Sequence, residues 1–310
     1  MKIGFFGTPE ISRVCLEGLY KFFEIAFVFT CEDKPQGRCL HVCKTPVKEF
    51  AESKNIPVLQ FSSLKDETIV DTLKSFNADI FVVMAFGKII PRCIYEIPRL
   101  KTINLHPSLL PKYRGAAPIQ FALINGETTS GITVQLIDDK LDSGDIVLQK
   151  NFEIEINDTV DKIYSRIMDD ACVLLKDAIL ALDSSTANLC KQNNDAATYC
   201  TKISREMARA NFSQTSLKLH NLVRALNPKP VVWTTFKNKN LKIWETKIAN
   251  LDTFPEIEAG ELFKIGKKNL YVKTIDGALE ILQLQPENKK VMSALEFING
   301  NRLQAGDKFI

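Results

Sequence analysis

The run Ile80-Phe81-Val82-Val83-Met84-Ala85 constrains the fold more than any other segment. Successive side chains of a strand point to opposite faces, so a strand with no polar residue on either face must be covered on both. That requirement is met in the middle of a mainly parallel sheet flanked by helices. The surrounding sequence supplies the partners. Strand-like runs at Lys2–Gly7, Ile25–Thr30, Ile56–Gln60, Thr102–Leu105, Ile132–Ile137 and Ile146–Ile156 alternate with helical periodicity. The helical stretches are Pro9–Phe23, Val47–Ser53, Asp66–Phe76 and Ile119–Ile124, with a long helix that Asp158 can cap running to about Leu182. The first half therefore reads as an α/β domain with a Rossmann-like, mainly parallel sheet.

The pattern then changes. Ser184–Thr198 is rich in Ser, Asn and Asp and has the composition of a linker. Beyond it an amphipathic helix at Ser216–Ala225 stops at Asn227-Pro228. Five short alternating runs follow, at Val231–Phe236, Leu241–Lys247, Glu261–Ile265, Asn269–Thr274 and Leu279–Gln285, with a late helix at Ser293–Asn299. Five short strands separated by turn residues suggest a small barrel of the oligonucleotide-binding type. The expected division is a catalytic domain over 1–188, a linker over 189–204 and an OB-like domain over 205–310. Charge follows the same division: residues 1–188 carry 21 Lys and Arg against 25 Asp and Glu, and residues 189–310 carry 19 against 12. A basic second half is suited to a polyanion.

Hydrophobic residues at 45% and charged residues at 25% exclude wholesale disorder. No apolar run approaches the roughly 18 residues of a membrane span, and the opening MKIGFFG is interrupted at once by Thr8-Pro9-Glu10, so a cytoplasmic protein without a membrane partner is expected. The eight cysteines are dispersed, and Cys31, Cys39 and Cys43 do not form a standard zinc pattern. Reduced thiols and no bound metal are expected.

A strand-to-helix start with Gly4 and Gly7 invites a dinucleotide reading, which needs G-x-G-x-x-G at the helix N-terminus. Here the turn is Gly7-Thr8-Pro9-Glu10, with no further glycine until Gly18 and a carboxylate where phosphates must sit. A nicotinamide cofactor is therefore not expected.

The chemistry lies in Thr102-Ile-Asn104-Leu-His106-Pro-Ser108-Leu-Leu-Pro111. Asn104 and His106 stand two apart on a strand and project to one face. Pro107 ends the strand, so the pair sits at a carboxyl end, where open parallel sheets bind ligands. An amide there can donate to a developing oxyanion, and an imidazole can move protons. Leu141-Asp142-Ser143-Gly144-Asp145 follows the strand Ile132–Ile137, and either carboxylate, Asp142 or Asp145, can orient His106.

At these residues the chain resembles the folate-dependent formyltransferase family, whose Asn-x-His followed by Ser-Leu-Leu-Pro and later Leu-Asp-x-Gly are present at Asn104–Pro111 and Leu141–Gly144. Gly7-Thr8-Pro9, Lys34–Arg38, Thr45–Lys48, Arg114–Gln120, Leu284–Pro286 and Lys289–Ala294 are similar to the branch that formylates aminoacyl-tRNA. The resemblance spans essentially the whole chain. It implies 10-formyltetrahydrofolate as donor and the α-amino group of initiator methionyl-tRNA as acceptor, in translation initiation. It selects Asp142 over Asp145 beside Asn104 and His106. It further implies folate contacts at Ser108, Leu109, Leu110, Pro111, Gly87 and Ile89, and tRNA contacts from Arg38 and Lys44 in an insertion that wedges against the acceptor end. The enzyme is expected to act as a monomer. The alternatives are a formyltransferase for a small amine, such as a nucleotide-linked amino sugar, and a non-catalytic nucleic-acid-binding protein.

Overall fold

A computed structural model describes residues 1–36, 41–64 and 68–310. The described chain divides into two units that alternate along the sequence. The first takes Met1–Gly115, Ser130–Phe152 and Tyr164–Tyr199; the second takes Ala116–Thr129, Glu153–Ile163 and Cys200–Ile310.

The first unit is built on seven strands: β1 (Lys2–Gly7), β2 (Glu24–Phe29), β3 (Val58–Leu59), β4 (Ile80–Met84), β5 (Thr102–His106), β6 (Thr129–Leu136) and β7 (Ile146–Glu153). Their spatial order is β7-β6-β5-β4-β1-β2-β3. β1 pairs in parallel with β2 and β4, β2 with β3, and β4 with β5, whereas β6 runs antiparallel to β5. As its composition requires, β4 is central and all five of its residues are buried. The chain leaves β1 outward through β2 and β3, then returns to β4 on the other side. The order thus reverses between β1 and β4, which opens a crevice at their carboxyl ends.

Bulk at the centre is aromatic. Phe6 packs against Phe27, Phe29, Phe81 and Phe86 with ring centroids 5.2 to 5.7 Å apart. Gly4 is required there, because a Cβ would lie 2.3 Å from Phe27 Cζ and 2.7 Å from Phe81 Cδ1. Helices Glu10–Tyr20, Pro46–Ser53 and Thr68–Ser75 form close to the expected spans. Thr45 caps the second of them by accepting the Lys48 N–H at 3.2 Å.

One expectation is corrected. The expected strand Ile56–Gln60 shortens to Val58–Leu59, because it is an edge strand paired only with β2. The polar stretch expected as a linker is in part structural: Cys190 exchanges backbone hydrogen bonds with Ile146 at 2.8 and 2.9 Å, and Thr198 O accepts the Arg114 N–H at 2.8 Å. Of its polar side chains Gln192 is buried and hydrogen-bonded, while most of the others are exposed.

The second unit holds the antiparallel strands β8 (Val232–Phe236), β9 (Lys239–Ile248), β10 (Leu262–Ile265), β11 (Asn269–Lys273) and β12 (Ala278–Pro286), in the order β8-β9-β12-β11-β10. This leaves β8 and β10 as edges, which residues 307–310 join. Thr235 and Ile310 exchange N–H···O bonds at 3.0 Å, while Leu262 N donates to Asp307 O at 2.8 Å and Phe309 N to Gly260 O at 2.9 Å. The sheet is thereby closed toward a barrel, which removes its exposed edges. Helix Ser216–Leu226 begins at a Thr215 cap and ends at Asn227, and helix Ala294–Asn301 opens with a Ser293/Glu296 capping box. No described helix is long and apolar enough to cross a membrane.

Candidate active site

β5 carries Asn104 and His106 at its carboxyl end, between β4 and β6. Asn104 pairs with Val83 on one side and with Gln135 on the other. Asn104 is half-buried, and its side-chain amide has no hydrogen-bond partner among the described residues. An amide held on a strand with both N–H groups uncommitted is ready to donate to a ligand.

His106 is only 4% exposed. Its Nε2 lies 2.9 Å from Tyr113 O. A carbonyl only accepts, so Nε2 carries the hydrogen, and in the neutral ring Nδ1 presents its lone pair. Nδ1 faces Asp142 Oδ2 at 3.7 Å, too far for a direct hydrogen bond. The ring is therefore anchored at one nitrogen and open at the other, beside a carboxylate.

The loop after β5 makes this possible. Tyr113 adopts φ 60°, which turns its carbonyl onto His106, and Gly115 at φ 121° donates its backbone N–H to Asp142 Oδ2 at 2.8 Å. Thr198 holds the same loop, its Oγ1 accepting the Tyr113 N–H at 2.8 Å. Asp142 sits in the left-handed region, φ 51°, which Asp tolerates better than most residues. Two residues later Gly144 is compulsory, because a Cβ there would lie 1.9 Å from Leu136 O. That close approach explains the glycine of the Leu-Asp-x-Gly segment. Asp145 O accepts the Leu136 N–H at 2.9 Å, so Asp145 closes the turn by its backbone and Asp142 turns inward. The structure thus brings together Asn104, His106 and Asp142.

The other expected site residues fall into two groups. Ser108 and Leu110 are buried; Ser108 Oγ donates to Lys112 O at 2.6 Å, and Thr133 Oγ1 donates to Ser108 O at 2.6 Å and accepts the Leu110 N–H. Their visible work is to shape the loop, while Leu109 and Pro111 are half-buried on it. Gly87 and Ile89 lie on the loop leaving β4, beside the end of β5. Ala85 and Gly87 both have positive φ, 46° and 82°, and Ile89 is 87% exposed. A Cβ at Gly87 would meet nothing within 4 Å. The loop is tied to the turn and helix that follow β1 by Ser12 Oγ and Thr8 Oγ1, which donate to Met84 O at 2.6 Å and Phe86 O at 3.3 Å. An open apolar lip on a tethered loop, at the carboxyl ends of the strands, suits a flat heterocyclic ligand.

Arg38 lies outside the described residues. Of the insertion that bears it, Lys34–Gln36 and His41–Cys43 pair as antiparallel strands. Lys44 at its base is exposed and pairs with Glu52 at 2.7 Å, which raises the lysine's affinity for its proton. Beside it Lys48 bridges Asp33 and Gln60 at 2.6 and 2.8 Å, and this hydrogen bonding holds the Asp33 carboxyl below the usual range.

Sequence reasoning missed a polar chain behind Asp142. Arg114, 2% exposed, donates to Gln192 Oε1 through Nε at 3.1 Å and Nη2 at 2.7 Å. Gln192 Nε2 contacts Gln135 Oε1 at 3.0 Å, and Gln135 Nε2 contacts Asp142 Oδ1 at 3.2 Å. Gln135 carried a signal: in Ile132-Thr-Val-Gln135 a polar residue recurs on one face of a strand expected to be covered. Gln192, inside a polar stretch, carried none.

With this geometry in hand, comparison with known proteins is direct. The formyl transferase family matches residues 3–179, and the formyl transferase C-terminal domain matches residues 202–302. The methionyl-tRNA formyltransferase of Leptospira interrogans is 42% identical over 100% of both chains. That of Clostridioides difficile is 39% identical over 99% of both. Among solved structures, a sugar 3N-formyl transferase determined with dTDP and 5-N-formyl-THF has a TM-score of 0.66 at 25% identity, covering 94% of this chain and 99% of its own.

Proposed function

The chain belongs to the formyl transferase family, and we propose that it transfers the formyl group of 10-formyltetrahydrofolate to the α-amino group of methionine on initiator tRNA, in translation initiation. The observation that carries the reading at the level of the site is the half-anchored imidazole: His106 Nδ1 open, beside Asp142 and on the same strand face as the uncommitted Asn104 amide.

The mechanism follows from these groups. Attack of the amine on the formyl carbon places negative charge on the formyl oxygen and positive charge on the attacking nitrogen. Asn104 donates to the oxygen, and the burial of its neighbours keeps that hydrogen bond strong. His106 Nδ1 moves a proton between the attacking and leaving nitrogens, and Asp142 Oδ2 stabilises the imidazolium that forms. The carbon–nitrogen bond to the donor then breaks, and the new amide leaves on the tRNA. The lip at Gly87 and Ile89, with the Ser108–Pro111 loop, receives the folate.

The second unit supplies the surface for the polyanion. Arg205 and Arg209 each stand 5.6 Å from the Trp233 ring, and Trp233, Arg205 and Lys242 line a cleft of about 460 Å³. Cations around an aromatic plane suit phosphate and base contacts. Arg38 and Lys44 complete the tRNA contact from the insertion. In this reading the catalytic half ends near residue 188, the tRNA-binding half starts near 205, and the enzyme works as a cytoplasmic monomer.

The test is an acceptor comparison with purified protein and 10-formyltetrahydrofolate. Formyl-methionine on initiator tRNA is the expected product. Formylation of a nucleotide-linked amino sugar, with none on the tRNA, would overturn the acceptor and keep the family.

A further inference from the structure

We propose that Gln135 and Gln192 are positioning residues for the transfer reaction, linking the buried Arg114 to Asp142 through a hydrogen-bond chain that runs in one direction only. The inference rests on the reading of Asn104, His106 and Asp142 given above.

The direction follows from chemistry at the two ends. A guanidinium only donates, so the Gln192 atom that receives Arg114 Nε and Nη2 is its carbonyl Oε1. The two Gln192 Nε2 hydrogens are then shared among three oxygens, Asp142 O at 3.0 Å, Gly144 O at 2.8 Å and Gln135 Oε1 at 3.0 Å. With Oε1 of Gln135 so occupied, its Nε2 must face Asp142 Oδ1. Every amide is fixed by the one before it. Reversing either amide would set N–H against N–H at one end and oxygen against oxygen at the other.

The chain controls Asp142 twice. Gln192 grips the backbone carbonyl of Asp142, a residue held at φ 51°, and the carbonyl of the compulsory Gly144. Gln135 grips Oδ1, and the Gly115 N–H grips Oδ2. With one donor on each oxygen the carboxylate cannot rotate, and Oδ2 stays aimed at His106 Nδ1. The charge of Arg114 polarises the amides so that each donates more strongly to the next, and the terminal carboxylate is the beneficiary. Nη2 also donates to Asn194 Oδ1 at 2.9 Å and Nη1 to Tyr199 OH at 3.4 Å, which fixes the origin of the chain.

The experiment uses the full chain with 10-formyltetrahydrofolate and methionyl initiator tRNA, measuring kcat and both KM values for Gln135→Met and Gln192→Glu, alone and with Asp142→Asn. Gln135→Met keeps the side-chain volume and removes the donor to Oδ1. Gln192→Glu keeps an acceptor for Arg114 and removes the donor to Gln135. Circular dichroism and Tm establish that each variant is folded, and either folded variant decides alone. The expected result is a loss of ~10- to 30-fold in kcat with each KM within about 2-fold, the size of a lost hydrogen bond to a charged group. In the Asp142→Asn background the same substitution should cost no more than about 2-fold further, because the chain acts through Asp142. Full kcat in either folded single variant, while Asp142→Asn is impaired, would overturn the chain. So would losses that multiply in the double variants, which is the behaviour of a structural defect. Wild-type kcat for Asp142→Asn itself would instead overturn the site reading on which the chain depends.

Discussion

Each unit buries a histidine, and the two rings resemble one another until their second nitrogen is considered. His106 is 4% exposed and His220 3%. Both place Nε2 on a backbone carbonyl, Tyr113 O at 2.9 Å and Ile156 O at 3.0 Å. Both stand near a buried arginine network: Arg114 in the first unit, and Arg224 in the second, where it donates to Asn221 Oδ1, Glu155 O and Asp158 O. The second nitrogen separates them. His220 Nδ1 bonds Thr246 Oγ1 at 3.0 Å, so its ring is fully satisfied, whereas His106 Nδ1 faces a carboxylate across 3.7 Å, beyond direct hydrogen-bond distance. Burial and one good hydrogen bond do not distinguish a structural histidine from a catalytic one. An unspent nitrogen beside a carboxylate does.

The largest effect expected from this contrast, short of removing the imidazole, is at Asp142. Asp142→Asn should lower kcat by roughly 100-fold, within the range of a positioned acid–base group, and lower Tm modestly, because its NH2 faces one of the two N–H groups that the carboxylate accepts. A steady-state assay with a melting curve checks both. Gly144→Ala comes next. Its Cβ would meet Leu136 O at 1.9 Å, so the turn that carries Asp142 must shift, and kcat should fall on the order of 10-fold through displacement of the carboxylate. Retained activity would mean that Asp142 can be misplaced without consequence.

The smallest effect on rate is expected in the second unit. Burial lowers the proton affinity of His220 below its ordinary value of 6.5, against the opposing hydrogen bond to Ile156 O, and Arg224 lowers it further. The unfolded chain then binds a proton that the folded chain refuses. The stability this histidine contributes is therefore complete above 6.5 and is lost as pH falls from there toward the depressed folded value. Tm should drop between pH 7 and 5 in the wild type, and His220→Gln should flatten part of that slope while kcat stays within about 2-fold.

Most of the architecture was legible because period carries it. An apolar run on both faces of β4 demands a central strand, and alternation from Val232 to Pro286 demands a small antiparallel sheet. The closure by residues 307–310 was not legible, since four residues cannot display a period and their partners at Thr235, Gly260 and Leu262 are distant in sequence. The same contrast holds in the site. Asn104 and His106 announce themselves by strand spacing and the proline after them. Choosing Asp142 over Asp145 needed the family resemblance, and the tight Gly144 turn supplies its physical reason. Gln192 was invisible because a buried glutamine in a polar stretch has the composition of a loop.

The central claim, that the half-anchored ring does chemistry and the satisfied ring does not, is tested most directly by single-turnover formyl transfer to methionyl initiator tRNA. Wild type, His106→Ala and His220→Gln are compared under saturating 10-formyltetrahydrofolate. The account predicts a loss of at least ~100-fold for His106→Ala and a rate within about 2-fold of wild type for His220→Gln. A wild-type rate with His106→Ala in a folded protein would contradict it.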